Sequence, residues 1–171
     1  MSGKSLPDAE QLLQALIEKL RPAVGPETGL IGIHTGGVWV AERLHQGLKP
    51  ATPLGALDVS YYRDDYDRRG LHRDPRSSDI PFDVDGRDLI LVDDVLFTGR
   101  TIRAALIEIF DYGRPASVRL ATLIDRGGRQ LPIAAQFTGG SIELPAGQSI
   151  ALKRDAKKRL AFVLREGEGE S

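Results

Sequence analysis

Leu89-Ile90-Leu91-Val92-Asp93-Asp94-Val95-Leu96-Phe97-Thr98-Gly99-Arg100-Thr101 is the most informative stretch of the chain. Its first four residues form an apolar run of strand length, as in a strand buried on both faces of a parallel sheet. Asp93 and Asp94 end that run, and residues 95–99 form a loop. A helix follows, with Ile102, Ala105, Leu106, Ile109 and Phe110 along one face and Gly113 as its left-handed stop. Thr98, Gly99 and Thr101 bring hydroxyls and approachable backbone N–H groups to the helix start, where the dipole and the unpaired donors attract a phosphate dianion. Asp93 and Asp94, at the strand end, are suited to receive sugar hydroxyls and to hold Mg²⁺ beside a diphosphate. Standing alone, an Asp-Asp pair reads as an acidic loop that caps the next helix. The apolar strand before it and the Thr-Gly-Arg-Thr loop after it favour the ligand reading.

The rest of the chain repeats the alternation. Ala9, Leu12, Leu13, Leu16, Ile17 and Leu20 keep helical spacing, with Pro7 and Asp8 in the first turn and Pro22 and Gly25 as the stop. An apolar run at 29–33 reads as a strand, His34-Thr35-Gly36-Gly37 as a glycine loop, and Val38, Ala41, Leu44 and Leu48 as the face of a second helix. Residues 56–62 and 117–124 read as strands, and shorter runs at 133–137, 149–152 and 160–164 as edge strands. Residues 63–81 are nearly devoid of aliphatic side chains, which in a compact domain marks a functional lid or a disordered segment. Strands alternating with helices predict an α/β domain with a mostly parallel sheet, its ligand loops (34–37, 93–101 and 125–128) gathered at the carboxyl edge.

Bulk properties narrow the class. With 171 residues, 41% of them hydrophobic, the chain is expected to form one domain over 1–171. The absence of cysteine excludes disulfides and thiolate metal sites and fits a reducing cytoplasm. No run approaches the roughly 20 apolar residues of a membrane span. The 23 Lys and Arg nearly balance the 24 Asp and Glu, so any nucleic-acid site has to be a local patch. His34, His45 and His72 show no metal or triad spacing; His34 is a candidate diphosphate contact and the other two read as surface residues. Val59, Tyr61 and Trp39 are candidates for subunit packing.

The thirteen residues 89–101 resemble the phosphoribosyl diphosphate (PRPP) signature of the type I phosphoribosyltransferases. The segments Gly32 to Leu44, Tyr62-Arg63-Asp64-Asp65, Asp79-Ile80-Pro81, Gly113-Arg114-Pro115 and Leu123 to Ile133 are similar, in order, to the PyrR family within that superfamily. The resemblance implies the type I fold: a mostly parallel twisted sheet flanked by helices, a flexible lid at about 63–81 and a small C-terminal β hood. It implies conversion of uracil and PRPP to UMP and diphosphate with Mg²⁺, and regulation of pyrimidine genes through UMP and an operon leader RNA. It also implies a homodimer or homotetramer.

On this resemblance Asp93, Asp94 and Arg63 are the catalytic set, with Asp93 and Asp94 also on the metal. Val95, Leu96, Phe97, Thr98, Gly99, Arg100 and Thr101 hold phosphate and ribose. His34, Thr35, Gly36 and Gly37 form the pyrophosphate loop, and Ile124, Asp125 and Arg126 edge the nucleobase pocket.

The chain departs from the family pattern in three places. The pyrophosphate loop commonly reads Lys-Thr-Arg-Gly, so Gly36 stands where an arginine is expected. A guanidinium on a diphosphate can contribute ~2 kcal/mol or more, and Arg63, Arg68, Arg69 or Arg73 of the polar segment are the substitutes the sequence offers. Gly128 replaces a histidine, and Ala134 replaces a basic residue of the RNA face, whereas Arg129 is kept. Two alternatives stay open: a UMP sensor with little transferase activity, and a phosphoribosyltransferase for another base.

Overall fold

The computed structural model describes residues 5–59 and 78–167. Three helices and seven strands are seen there: α1 (Ala9–Leu20), β1 (Gly29–Ile33), α2 (Gly36–Leu48), β2 (Gly55–Leu57), β3 (Asp88–Leu96), α3 (Arg100–Tyr112), β4 (Ser117–Asp125), β5 (Phe137–Thr138), β6 (Gln148–Arg154) and β7 (Leu160–Glu166). Five strands pair in parallel in the order β2-β1-β3-β4-β5, and β6 and β7 form a separate antiparallel hairpin, the hood.

The apolar runs explain why the sheet is covered on both sides. In β1 and β3, Leu30, Ile90 and Val92 pack into one core with α1 and α2, whereas Ile31, Ile33, Leu89 and Leu91 pack into the other with Ile102, Ala105 and Ile109 of α3. Alternate residues point to opposite faces, so a strand buried on both sides has to be apolar at every position. The hood joins the first core through Ile150, Leu152, Leu160 and Phe162. Between β1 and β3 the order of connection reverses, the crevice where open α/β sheets take their ligands.

Several boundaries differ from the sequence reading. Asp8 is the N-cap of α1, its carboxylate accepting from the N–H groups of Glu10 and Gln11, and Pro7 lies outside the helix. The second helix already begins at Gly36. β3 runs on through both acids, because Asp93 still pairs with Thr122 and Val95 with Ile124. Of the expected strand at 133–137 only Phe137 pairs, in a two-residue strand Phe137–Thr138. Before it, the Gln136 side chain accepts the Leu120 N–H at 2.8 Å, and Ile133 and Ala135 pack on the α3 core.

Val59 is 1% exposed and so offers no interface, whereas Trp39 packs partly buried against the first core; among the described residues the exposed large apolar side chains are Ile107, Phe110, Tyr112 and Leu164. His45 is not a free surface residue either, its Nε2 lying 2.9 Å from the Thr52 carbonyl oxygen. Tyr61, Tyr62 and His72 lie outside the described residues.

One polar cluster ties the hood to the helices. Arg43 of α2 donates to both Glu10 carboxylate oxygens, at 3.0 and 2.7 Å, and Glu10 also accepts the N–H of Leu160. The Arg43 guanidinium holds the Glu10 carboxyl below its ordinary range. A carboxylate depressed in the folded state stabilises above its unfolded value and loses that contribution as pH falls through the folded one. Glu10→Gln should therefore cost about 1–2 kcal/mol at pH 7. In urea titrations the difference from the parent protein should shrink as the pH drops below about 4.

Candidate active site

A cleft of about 560 Å³ opens at the carboxyl edge of the sheet, at the β1–β3 crevice. Ile33, His34, Thr35 and Gly36 line one wall, Asp93, Asp94, Val95, Phe97 and Thr101 the next, and Arg126 closes the far side. The hood completes it with Ser149, Ile150, Ala151, Arg165, Glu166 and Gly167. No motif announced these hood residues.

Backbone contacts lock the acid pair. Asp94 donates its N–H to Asp93 Oδ1 at 2.9 Å, and Val95 donates its N–H to Asp94 Oδ1 at 2.9 Å. Asp93 is 7% exposed, while Asp94 is half-buried beside the glycine loop. A Cβ built on Gly36 would overlap the Asp94 carboxylate, 2.6 Å from its Cγ. The position where the family pattern has arginine is thus occupied by the neighbouring acid.

Gly99 caps α3 with φ 95°, a left-handed conformation that favours glycine. The Thr98 hydroxyl accepts the Arg100 N–H at 3.2 Å, and Thr98 is 7% exposed. Arg100 itself is exposed, its Nε donating to Gln130. Leu96 is buried at 1% in the α3 core, so its side chain is structural. Of the thirteen-residue motif, Asp93, Asp94, Val95, Phe97 and Thr101 reach the cleft.

Of the residues the resemblance puts at the nucleobase, Ile124 is fully buried in the core, and Asp125 pairs with Arg129 at 2.7 Å. Arg126 alone of these three lines the cleft. Its guanidinium lies 3.8 Å from the Phe97 ring centroid, and its Nη2 donates to the Gln148 carbonyl at 3.0 Å. Gly128, at φ 78°, packs so closely that a Cβ would fall 2.4 Å from the Phe97 ring; a histidine there would displace the stack.

Arg129 braces the same loop, donating to the carbonyls of Phe97 and Ile133 as well as to Asp125. Arg63, Arg68, Arg69 and Arg73 lie outside the described residues, as does most of the polar segment 63–81. Its last residues return to the sheet edge, where Asp79 pairs with Ala56.

No group of three or more His, Cys, Asp or Glu side chains that could hold a metal ion occurs among the described residues. A Mg²⁺ ion bound through one or two carboxylates and substrate phosphates needs no such cage, and the oriented Asp93–Asp94 pair fits that mode. No helix among the described residues is long and apolar enough to cross a membrane.

Residues 4–150 match the family model of the phosphoribosyl transferase domain. The bifunctional protein PyrR of Pseudomonas paraeruginosa is 50% identical over 161 residues, 91% of this chain and 89% of that protein. The bifunctional protein PyrR of Nitrosococcus oceani is 57% identical over 125 residues, 72% and 71% of the two chains. Among solved structures, a hypoxanthine phosphoribosyltransferase from Staphylococcus aureus shares the fold with a TM-score of 0.65 at 18% identity, covering 86% of this chain and 81% of that one. On sequence, fold and cleft together, the chain belongs to the phosphoribosyltransferase family and, within it, to the PyrR proteins.

Proposed function

We propose that this chain, working as one unit over 1–171, is a cytoplasmic uracil phosphoribosyltransferase that also regulates pyrimidine genes in response to UMP. The observation that carries the reading is the cleft itself, in which the acid pair, the start of α3, the glycine loop and the hood surround one space large enough for a nucleotide.

In this reading the 5-phosphate sits at the N-terminus of α3 beside Thr101, where backbone N–H groups and the helix dipole favour it. Asp93 and Asp94 receive the ribose hydroxyls and hold Mg²⁺. When bound, that ion neutralises the diphosphate leaving group. His34 and the amides at 35–37 face the diphosphate, while Arg126, fixed on Phe97, edges the base. The bond from uracil N1 to the sugar C1 forms as the bond from C1 to the diphosphate oxygen breaks and the N1 proton passes to solvent, so alignment and charge stabilisation carry most of the rate.

A second reading, a UMP sensor with little turnover, is favoured by one observation: Gly36 leaves the pyrophosphate loop without a cation, against the Asp94 carboxylate. Assays with uracil, hypoxanthine and orotate in parallel, together with UMP binding by calorimetry, separate these readings. A leader RNA is the partner of the regulatory half. Lys19 and Arg21 of the first helix stand in exposed contacts with the Thr138 carbonyl and Glu18, whereas Arg129 is bonded into the 125–133 loop. As a homodimer or homotetramer the protein would bury the exposed Ile107 and Phe110 of α3.

A further inference from the structure

The cleft as a whole has a charge problem for a diphosphate. Three of its lining carboxylates, Asp93, Asp94 and Glu166, face two guanidiniums, Arg126 and Arg165, among the described residues. The loop cannot add a cation at Gly36 while Asp94 keeps its place. Arg126 is committed, stacked on Phe97 and bonded to the Gln148 carbonyl.

Arg165 is different. It belongs to β7 in the hood, lines the same cleft as His34, Gly36 and Asp94, and is exposed. Its side chain makes no hydrogen bond or ion pair among the described residues. Its register partner on β6 is Ser149, which is 5% exposed and also lines the cleft. The hood strand is anchored from the other side by Leu160 and Phe162 in the core, so this guanidinium rides on a rigid element.

We propose that Arg165 is the diphosphate-binding cation of this protein, supplied by the hood in place of the arginine missing from the pyrophosphate loop. An arginine fork matches two oxygens of a diphosphate at once, which a single glycine-loop amide cannot do. The inference rests on the transferase reading above and names a residue outside the motif by which that reading was reached. It also makes the hood an active partner in leaving-group recognition rather than only a cover for the base.

The test is calorimetry on the full-length protein and on Arg165→Gln and Arg165→Lys, with Mg-diphosphate and with UMP as separate titrants, and steady-state kinetics with uracil and PRPP alongside. Arg165→Gln is expected to weaken Mg-diphosphate and raise the KM for PRPP by about tenfold or more. UMP affinity should stay within about twofold, and Arg165→Lys should recover part of the loss because it restores the charge without the fork. Unchanged diphosphate affinity in Arg165→Gln would overturn the assignment. So would an equal loss of UMP and diphosphate, which would mean that the substitution disturbs the hood. Wild-type protein that binds neither titrant would overturn the transferase reading itself, a result distinct from either.

Discussion

Asp94→Asn is expected to weaken Mg·PRPP binding by at least about 2 kcal/mol, roughly thirtyfold, while leaving the fold intact. The fold should survive because the asparagine amide oxygen can still accept the Val95 N–H that Asp94 Oδ1 accepts now at 2.9 Å. The neighbouring bond, from the Asp94 N–H to Asp93 Oδ1, involves no Asp94 side-chain atom and is unaffected. What disappears is a half-buried negative charge facing the cleft, the feature a hard cation and ribose hydroxyls require. Calorimetric titration with PRPP and Mg²⁺, paired with thermal unfolding, reads both quantities. A native melting temperature with unchanged PRPP affinity would remove Asp94 from the site.

Restoring the family's arginine should make matters worse. Gly36→Arg places a Cβ inside the Asp94 carboxylate, so Asp94 has to leave the rotamer in which it holds the Val95 N–H. An off-rotamer side chain together with a lost charged hydrogen bond comes to about 2–4 kcal/mol. Gly36→Ala carries the same overlap without the charge, and both variants should lose PRPP affinity by similar factors. If Gly36→Arg instead binds PRPP more tightly than Gly36→Ala by an order of magnitude, the loop opens on binding and the steric argument does not hold.

The parts of the site carried by local pattern were legible in the sequence. An apolar run, an acid pair and a small hydroxyl loop before a helix are contiguous, and each follows from backbone chemistry over a few residues. Asp93, Asp94, Phe97 and Thr101 do line the cleft, as do His34, Thr35, Gly36 and Arg126.

Leu96 and Ile124 are different: they adjoin the candidate site residues along the chain, yet strand alternation and burial turn their side chains into the two cores. The hood contribution was illegible because Ser149, Arg165 and Glu166 carry no motif. They reach the cleft only because Ile150, Leu152, Leu160 and Phe162 dock the hairpin on the core, a contact between residues far apart in the chain.

Arg129, kept relative to the family pattern, makes contacts that the sequence could not reveal: the guanidinium turns inward to three acceptors and holds the loop that carries Phe97. Gly36 and Gly128 looked like losses relative to the family. Both are explained by close approaches, to Asp94 and to the Phe97 ring, that the spacing of residues along the chain could not reveal.

The decisive measurement is UMP formation from labelled uracil, PRPP and Mg²⁺ by the purified protein, with hypoxanthine and orotate as parallel acceptors. Turnover with uracil, abolished or strongly reduced in Asp94→Asn and absent with the other two bases, is the predicted result. Tight UMP binding with no UMP formed would show that the cleft senses nucleotide without transferring ribose 5-phosphate, and turnover with hypoxanthine would show that the base pocket has been misread.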